Sequence, residues 1–151
     1  AADQERAMGH RVLITGANAP AGVSMRELLA DEAVSVLACD RRSDAEPRSS
    51  VVPIHPSDSP EFIGDLVTLC ANHDVDLLVP MRVSDQLAIA RQTKLFRELG
   101  VQVWLAPIPE RATRSLARRI LQFGDRATAR GAMSAWLGRV SNLSQAWLHT
   151  G

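Results

Sequence analysis

The stretch RVLITGANAPAG, Arg11 to Gly22, decides the fold of this chain. Its first five residues, Arg11 to Thr15, form a short apolar run rich in β-branched side chains, the pattern of a strand buried on both faces, and the run ends at Gly16. From Ala21 to Asp31 the apolar residues Met25, Leu28 and Leu29 recur at helical spacing. The unit therefore reads as strand, glycine-bearing turn, helix. Ala17, Asn18, Ala19 and Pro20 fill the turn before Gly22. A doubly wound parallel sheet takes its ligand at such a place, outside the carboxyl end of a strand. Backbone N–H groups at the start of the next helix face an anion there, and small residues let it come close.

Working outward, Val34 to Ala38 is a second apolar, β-branched run, ending at Cys39-Asp40-Arg41-Arg42, and the polar stretch SDAEPRSS after it reads as a loop. Val51 to Ile54 is a short apolar piece punctuated by Pro53 and Pro56. Asp58 or Ser59 is then expected to cap a helix with Pro60 in its first position and Phe62, Leu66, Leu69 and His73 on one face. Asp76 to Pro80 reads as the third strand. A third helix, capped by Ser84 or Asp85, runs to Glu98 and is stopped by Gly100, and Val101 to Leu105 is the fourth strand. Strands alternating with amphipathic helices predict an α/β fold: a three-layer α/β/α Rossmann-like domain on a parallel sheet of about four strands. Residues 1–107 are assigned to it. Residues 108–151 are assigned to a helical C-terminal extension, packed on it or docking from it, with breaks at Gly124, Gly131 and Gly138.

Of the 151 residues 46% are hydrophobic, and 17 Lys+Arg balance 17 Asp+Glu, which excludes a disordered or collagen-like chain. Cys39 and Cys70 lack any metal-ligand or CxxC spacing and read as small buried apolar residues. No apolar run is long enough for a membrane span, and the first residues lack the apolar centre of a signal peptide, so the expectation is a cytoplasmic protein with no membrane partner. The neutral total hides an asymmetry. Residues 1–100 carry 10 basic and 15 acidic side chains, and residues 101–151 carry 7 basic and 2 acidic. Tyr is absent and the few Phe and Trp residues are scattered, so a stacking platform for single-stranded nucleic acid is missing, and no nucleic-acid partner is expected.

Compared with a dinucleotide fingerprint, Gly16 and Gly22 hold the outer positions of GxxGxxG, with Ala19 in the middle. Asp40, at the end of the second strand, is placed to take ribose hydroxyls, and Arg41 and Arg42 to meet a phosphate, which makes NAD(P) the alternative cofactor. An equally open reading is that Gly16 permits a tight turn, Gly22 close helix–strand packing, and Asp40 a solvated turn. Independent catalysis finds no support. His10, His55, His73 and His149 have no ligand-spaced partner, no GxSxG elbow occurs, and without Tyr there is no Tyr-x-x-x-Lys pair. Arg111, Arg114, Arg118 and Arg119 give the helix after Pro109 a basic side, best read as a solvated face.

Val12 to Gly22, Asp40, Pro56 to Glu61 and Leu77 to Leu87 together resemble the N-terminal, pre-ATP-grasp domain of carbamoyl-phosphate-synthase-like ATP-grasp ligases. The family pattern runs VLxTGAxxPAG, a strand ending in Asp, a P-x-x-D-x-P helix start, and LLVPxxDxEL. The resemblance covers about Arg11 to Glu110. It implies a ligand pocket rimmed by Gly16, Ala17, Asn18, Gly22, Asp40 and Pro80, in a ligase-type system that joins a carboxylate to an amine. Two residues depart from the family pattern: Gln86 stands where a Glu is usual, and in Phe123-Gly124-Asp125-Arg126 the residue Arg126 replaces the Lys that reaches ATP. The glycine-rich lid and the Glu and Asn magnesium ligands of the family are not found in residues 1–151. The chain is therefore expected to be catalytically incomplete alone, with ATP and Mg bound only when a further domain is supplied. Alternatives are an NAD(P)-binding domain and a degenerate structural or interaction module. In the last segment Trp136, Val140, Leu143 and Trp147 fall on one helical stripe, the expected contact for a homo-oligomer or a partner chain.

Overall fold

The computed structural model describes residues 10–32, 34–45, 50–106 and 108–123. Five strands form one parallel sheet: β1 (Arg11–Thr15), β2 (Ser35–Arg41), β3 (Val52–Ile54), β4 (Leu77–Pro80) and β5 (Gln102–Val103), in the order β3-β2-β1-β4-β5. The helices are α1 (Pro20–Leu29), α2 (Phe62–His73), α3 (Val83–Ala90) and α4 (Thr93–Glu98), followed by α5, whose described part is residues 109–123. The α/β reading therefore holds, with one strand more than expected. The additional strand is the Val51 to Ile54 piece. It joins β2 at the edge, where Pro53, which has no N–H to donate, is tolerated.

The central strands are buried because helices cover both faces. Val12 and Ile14 of β1 pack with Met25 and Leu29 of α1 and with Leu116 and Ile120 of α5. Leu13, pointing the other way, packs with Phe62, Leu66 and Cys70 of α2, Ile89 of α3 and Phe96 of α4. This period-2 alternation splits the core into two layers. The stripe of α2 is completed by Cys70 rather than His73. Both cysteines are buried and free, as expected, and burial pushes the Cys70 thiol up to about 12.

Several boundaries differ from the sequence reading, each for a local reason. Neither Asp58 nor Ser59 caps α2. Residues 56–61 turn first, Ser59 N–H bonding Pro56 O, and the Ser59 hydroxyl instead donates to Glu61. Ser84 and Asp85 lie inside α3, which starts after an extended Arg82, and the Asp85 carboxylate is held by Thr15. The expected single helix from there to Glu98 is two, α3 and α4. The polar run Arg91 to Lys94 offers no large apolar side chain to bind the sheet, and Gln92 leaves the helical region at φ −126°. Gly100 ends α4 in a left-handed conformation, φ 80°, as expected. Arg126 and the stripe Trp136, Val140, Leu143 and Trp147 lie outside the described residues, as do the three glycine breaks. None of the described helices is long and apolar enough to cross a membrane.

Candidate functional site

From β1 the chain moves to β2 and β3 on one side of the sheet, and β4 and β5 lie on the other. The direction of winding therefore reverses between β1 and β4, the place where doubly wound sheets have their ligand crevice, outside the carboxyl ends of the strands. The β1–α1 turn and the β4–α3 turn form its two lips. Gly16 takes φ +64°, and a Cβ there would lie 2.8 Å from the Arg82 Cβ of the opposite lip. Two features let α1 start directly above β1: Pro20 in its first turn, with no donor to satisfy, and Gly22 against the turn's own backbone.

Most of the turn between Gly16 and Ala19 is engaged within the chain. Ala19 N–H bonds Gly16 O at 3.0 Å and Ala17 N–H bonds Cys39 O at 3.2 Å. Arg26, in the last turn of α1, reaches back to donate to Ala17 O at 2.7 and 3.1 Å and to Asn18 Oδ1 at 2.9 Å. Asn18 N–H donates to Asp40 Oδ2 at 3.0 Å, and Asn18 Nδ2 to the carbonyl of Asp44. The sequence reading missed Arg26. A helical Arg eight or nine positions beyond a small-residue turn carries no motif, although its long side chain can reach back to the carbonyls there.

Asp40 is the hub of the crevice. It is 1% exposed and accepts from Asn18 N–H, from Arg41 N–H at 2.8 Å, and from Arg82 Nη2 at 3.1 and 3.0 Å on its two oxygens. Arg82 Nη2 also reaches Asp44 Oδ2 at 3.1 Å, and Arg41 Nε holds the same oxygen. The Arg41 bond keeps the Asp44 carboxyl below its ordinary range. One buried carboxylate thus ties together the β1–α1 turn, the end of β2 and the β4–α3 turn. Ribose hydroxyls at Asp40 would have to displace a guanidinium and two backbone amides, each bond being charge-assisted.

Behind this network sit the remaining crevice residues. Pro80, the last residue of β4, is buried, and its carbonyl accepts from Gln86 Nε2 at 3.3 Å. This gives the departure at Gln86 a physical sense, since a carboxylate at that position has no hydrogen to donate. Asp85, 5% exposed, takes the Thr15 hydroxyl at 2.8 Å, and burial raises its pKa. Of the expected rim, the structure brings Gly16, Ala17, Asn18, Gly22, Asp40 and Pro80 to one end of the sheet.

A second polar pair lies at the β3 edge, also at the carboxyl end. Asp65 of α2 accepts from the backbone N–H of His55 at 2.8 Å and lies 2.7 Å from His55 Nδ1. Partial burial opposes its charge, but these two bonds hold the Asp65 carboxyl below its ordinary value. No known family model matches the sequence, and no curated protein is recognisably similar to it.

Proposed function

We propose that this chain is a Rossmann-like domain of the pre-ATP-grasp type, contributing a rigid rim and a protein contact to an ATP-dependent carboxylate–amine ligase-type system, with no catalytic group of its own. The observation that carries the reading is the closure of the crevice: the Gly16–Asn18 turn and both oxygens of Asp40 are bound by the chain's own groups. With the Ala17, Asn18 and Ala19 amides already committed, the turn supports a positioning role better than a pyrophosphate cradle, which would draw on those amides. The strand order and the crevice between β1 and β4 are those a doubly wound domain would use to present such a rim. On this reading ATP and Mg belong to a further domain, with Arg126 as a phosphate contact, and the NAD(P) alternative takes second place.

The test is a thermal-shift panel of ATP, ADP, NAD, NADP and small carboxylic acids. A ligand at a hundred times its dissociation constant adds about 2.7 kcal/mol, several degrees for a domain of this size. NAD and NADP are expected to leave the melting temperature unchanged, and selective stabilisation by either would return the crevice to the dinucleotide reading.

The contact itself we assign to the apolar stripe Trp136, Val140, Leu143 and Trp147, docking on a second copy or a partner chain. The full chain is expected to sediment as a dimer at high micromolar concentration, and Trp136→Ala with Trp147→Ala to shift it to monomer. A full chain that stays monomeric at that concentration removes this assignment.

A further inference from the structure

Asp85 is a buried carboxyl group that neither the packing of the sheet nor the proposed contact requires. It sits in the first turn of α3, 5% exposed, with Thr15 of β1 donating to Oδ2. Its charged surroundings come from every element around the crevice: Asp40 and Arg41 of β2 and Arg82 of the β4–α3 turn, with Asp44 on the far side of Arg82 and the buried Cys39 thiol behind. Three carboxyl groups therefore share two guanidiniums, and the Arg41 side chain is nearly half exposed. Arg82 is the cation they compete for. Its Nη2 serves both oxygens of Asp40 and one of Asp44, while its Nε–H is buried and has no acceptor. A buried donor without a partner is rare and calls for an explanation. Nε and Nη2 form one edge of the guanidinium fork, shaped to take a carboxylate bidentately.

We propose that Asp85 and Arg82 form a proton-controlled clasp on the mouth of the crevice. With Asp85 protonated, Arg82 bridges Asp40 and Asp44 and holds the residues after β2 against the β1–α1 turn. When Asp85 gives its proton to solvent, its carboxylate takes the Nε–H of Arg82, and Asp44 is released. Asp44 is the partner that leaves because it is one-third exposed and keeps Arg41, whereas Asp40 is fully buried and fixed by two backbone amides. Asp44 is already ionised at the pH where the clasp turns, since Arg41 holds its carboxyl low while burial holds that of Asp85 high.

The stability of the fold follows the same proton. A carboxyl group raised in the folded state contributes stability that is complete below its unfolded value and is lost as pH rises through the folded one. Asp85→Asn fixes the neutral form and keeps an acceptor for Thr15. This variant is expected to melt above the parent at neutral pH, with the gap closing as acid protonates Asp85 in the parent.

The deciding measurement is an NMR titration of the full parent chain, from the acid side of the ordinary carboxylate range to above neutrality. It follows the Asp85 carboxyl carbon, the Arg82 Nε and the Asp44 amide. One common step above the ordinary carboxylate range is expected at all three, with faster amide exchange at residues 42–45 beyond it. That step is expected to be lost at Arg82 and Asp44 in Asp85→Asn. The clasp is refuted if Asp85 titrates within the ordinary range, if Arg82 and Asp44 do not follow it, or if the step survives in Asp85→Asn. Should that variant fail to fold, the parent titration alone decides.

Discussion

Gly22→Ala is expected to be the most destabilising single methyl group this domain can be given. A Cβ at Gly22 would stand 2.1 Å from the carbonyl oxygen of Gly16 and 2.8 and 2.9 Å from Ala17 Cα and C. All three atoms are backbone, so no rotamer change relieves the contact. The turn cannot retreat either. Ala17 is pinned to β2 through Cys39 O and to α1 through Arg26, and Asn18 is pinned to Asp40. Moving the turn by the needed distance would break several of these bonds together, a combined cost of roughly 3 kcal/mol or more for a single methyl group. That is at or above the top of the roughly 1–3 kcal/mol that overpacking usually costs, and it is a large share of what a domain of this size has to lose. Urea denaturation followed by circular dichroism gives the number. Gly64→Ala is the control, on α2 with nothing within 4 Å of the added Cβ, and is expected to be neutral or stabilising by up to about 1 kcal/mol. Equal midpoints for the two variants would mean that α1 does not rest on the Gly16–Ala17 backbone.

Hydrophobic period made the architecture legible in advance. The runs at Arg11, Val34 and Asp76 are short and rich in apolar residues because they enter a sheet covered by helices on both faces, and the helical spacing between them marks the alternation. Val51 to Ile54 was harder to read. A three-residue edge strand containing proline has the composition of a connection, and only its neighbour β2 makes it a strand. The split between α3 and α4 leaves no glycine or proline to announce it. The positions of the β1–α1 turn and of Asp40 at the carboxyl ends of β1 and β2 were legible, since both follow from where a strand ends. Which groups those residues bind was not legible. Arg82 meets Asp40 across 42 positions, and Thr15 meets Asp85 across 70. Such pairings depend on two turns arriving at the same end of the sheet, a fact of topology that no local spacing carries.

The opposed readings of Asp40 make its replacement the most informative single change after Gly22. As a ribose ligand facing an open crevice, Asp40 would matter to binding and little to folding. As the buried hub described above, Asp40→Ala leaves the Asn18 and Arg41 amides without acceptors and Arg82 with Asp44 alone. Removing one member of a buried ion pair costs about 3–5 kcal/mol when the remaining charge is stranded. Here Arg82 keeps one carboxylate and some contact with water, so the expected loss is near the lower end, roughly 3 kcal/mol. The charge component can be separated from the amides. Arg82→Met removes the guanidinium while keeping its apolar stem, and the double variant should be less destabilised than the two single changes add up to, by about 0.5–3 kcal/mol. Additive effects would place Arg82 in solvent rather than on Asp40. Full stability for Asp40→Ala, together with loss of an NAD-dependent shift in melting temperature, would instead reopen the crevice to a dinucleotide. Coupling between the two positions would instead mean that the carboxylate a ribose would need already holds two backbone amides and Arg82.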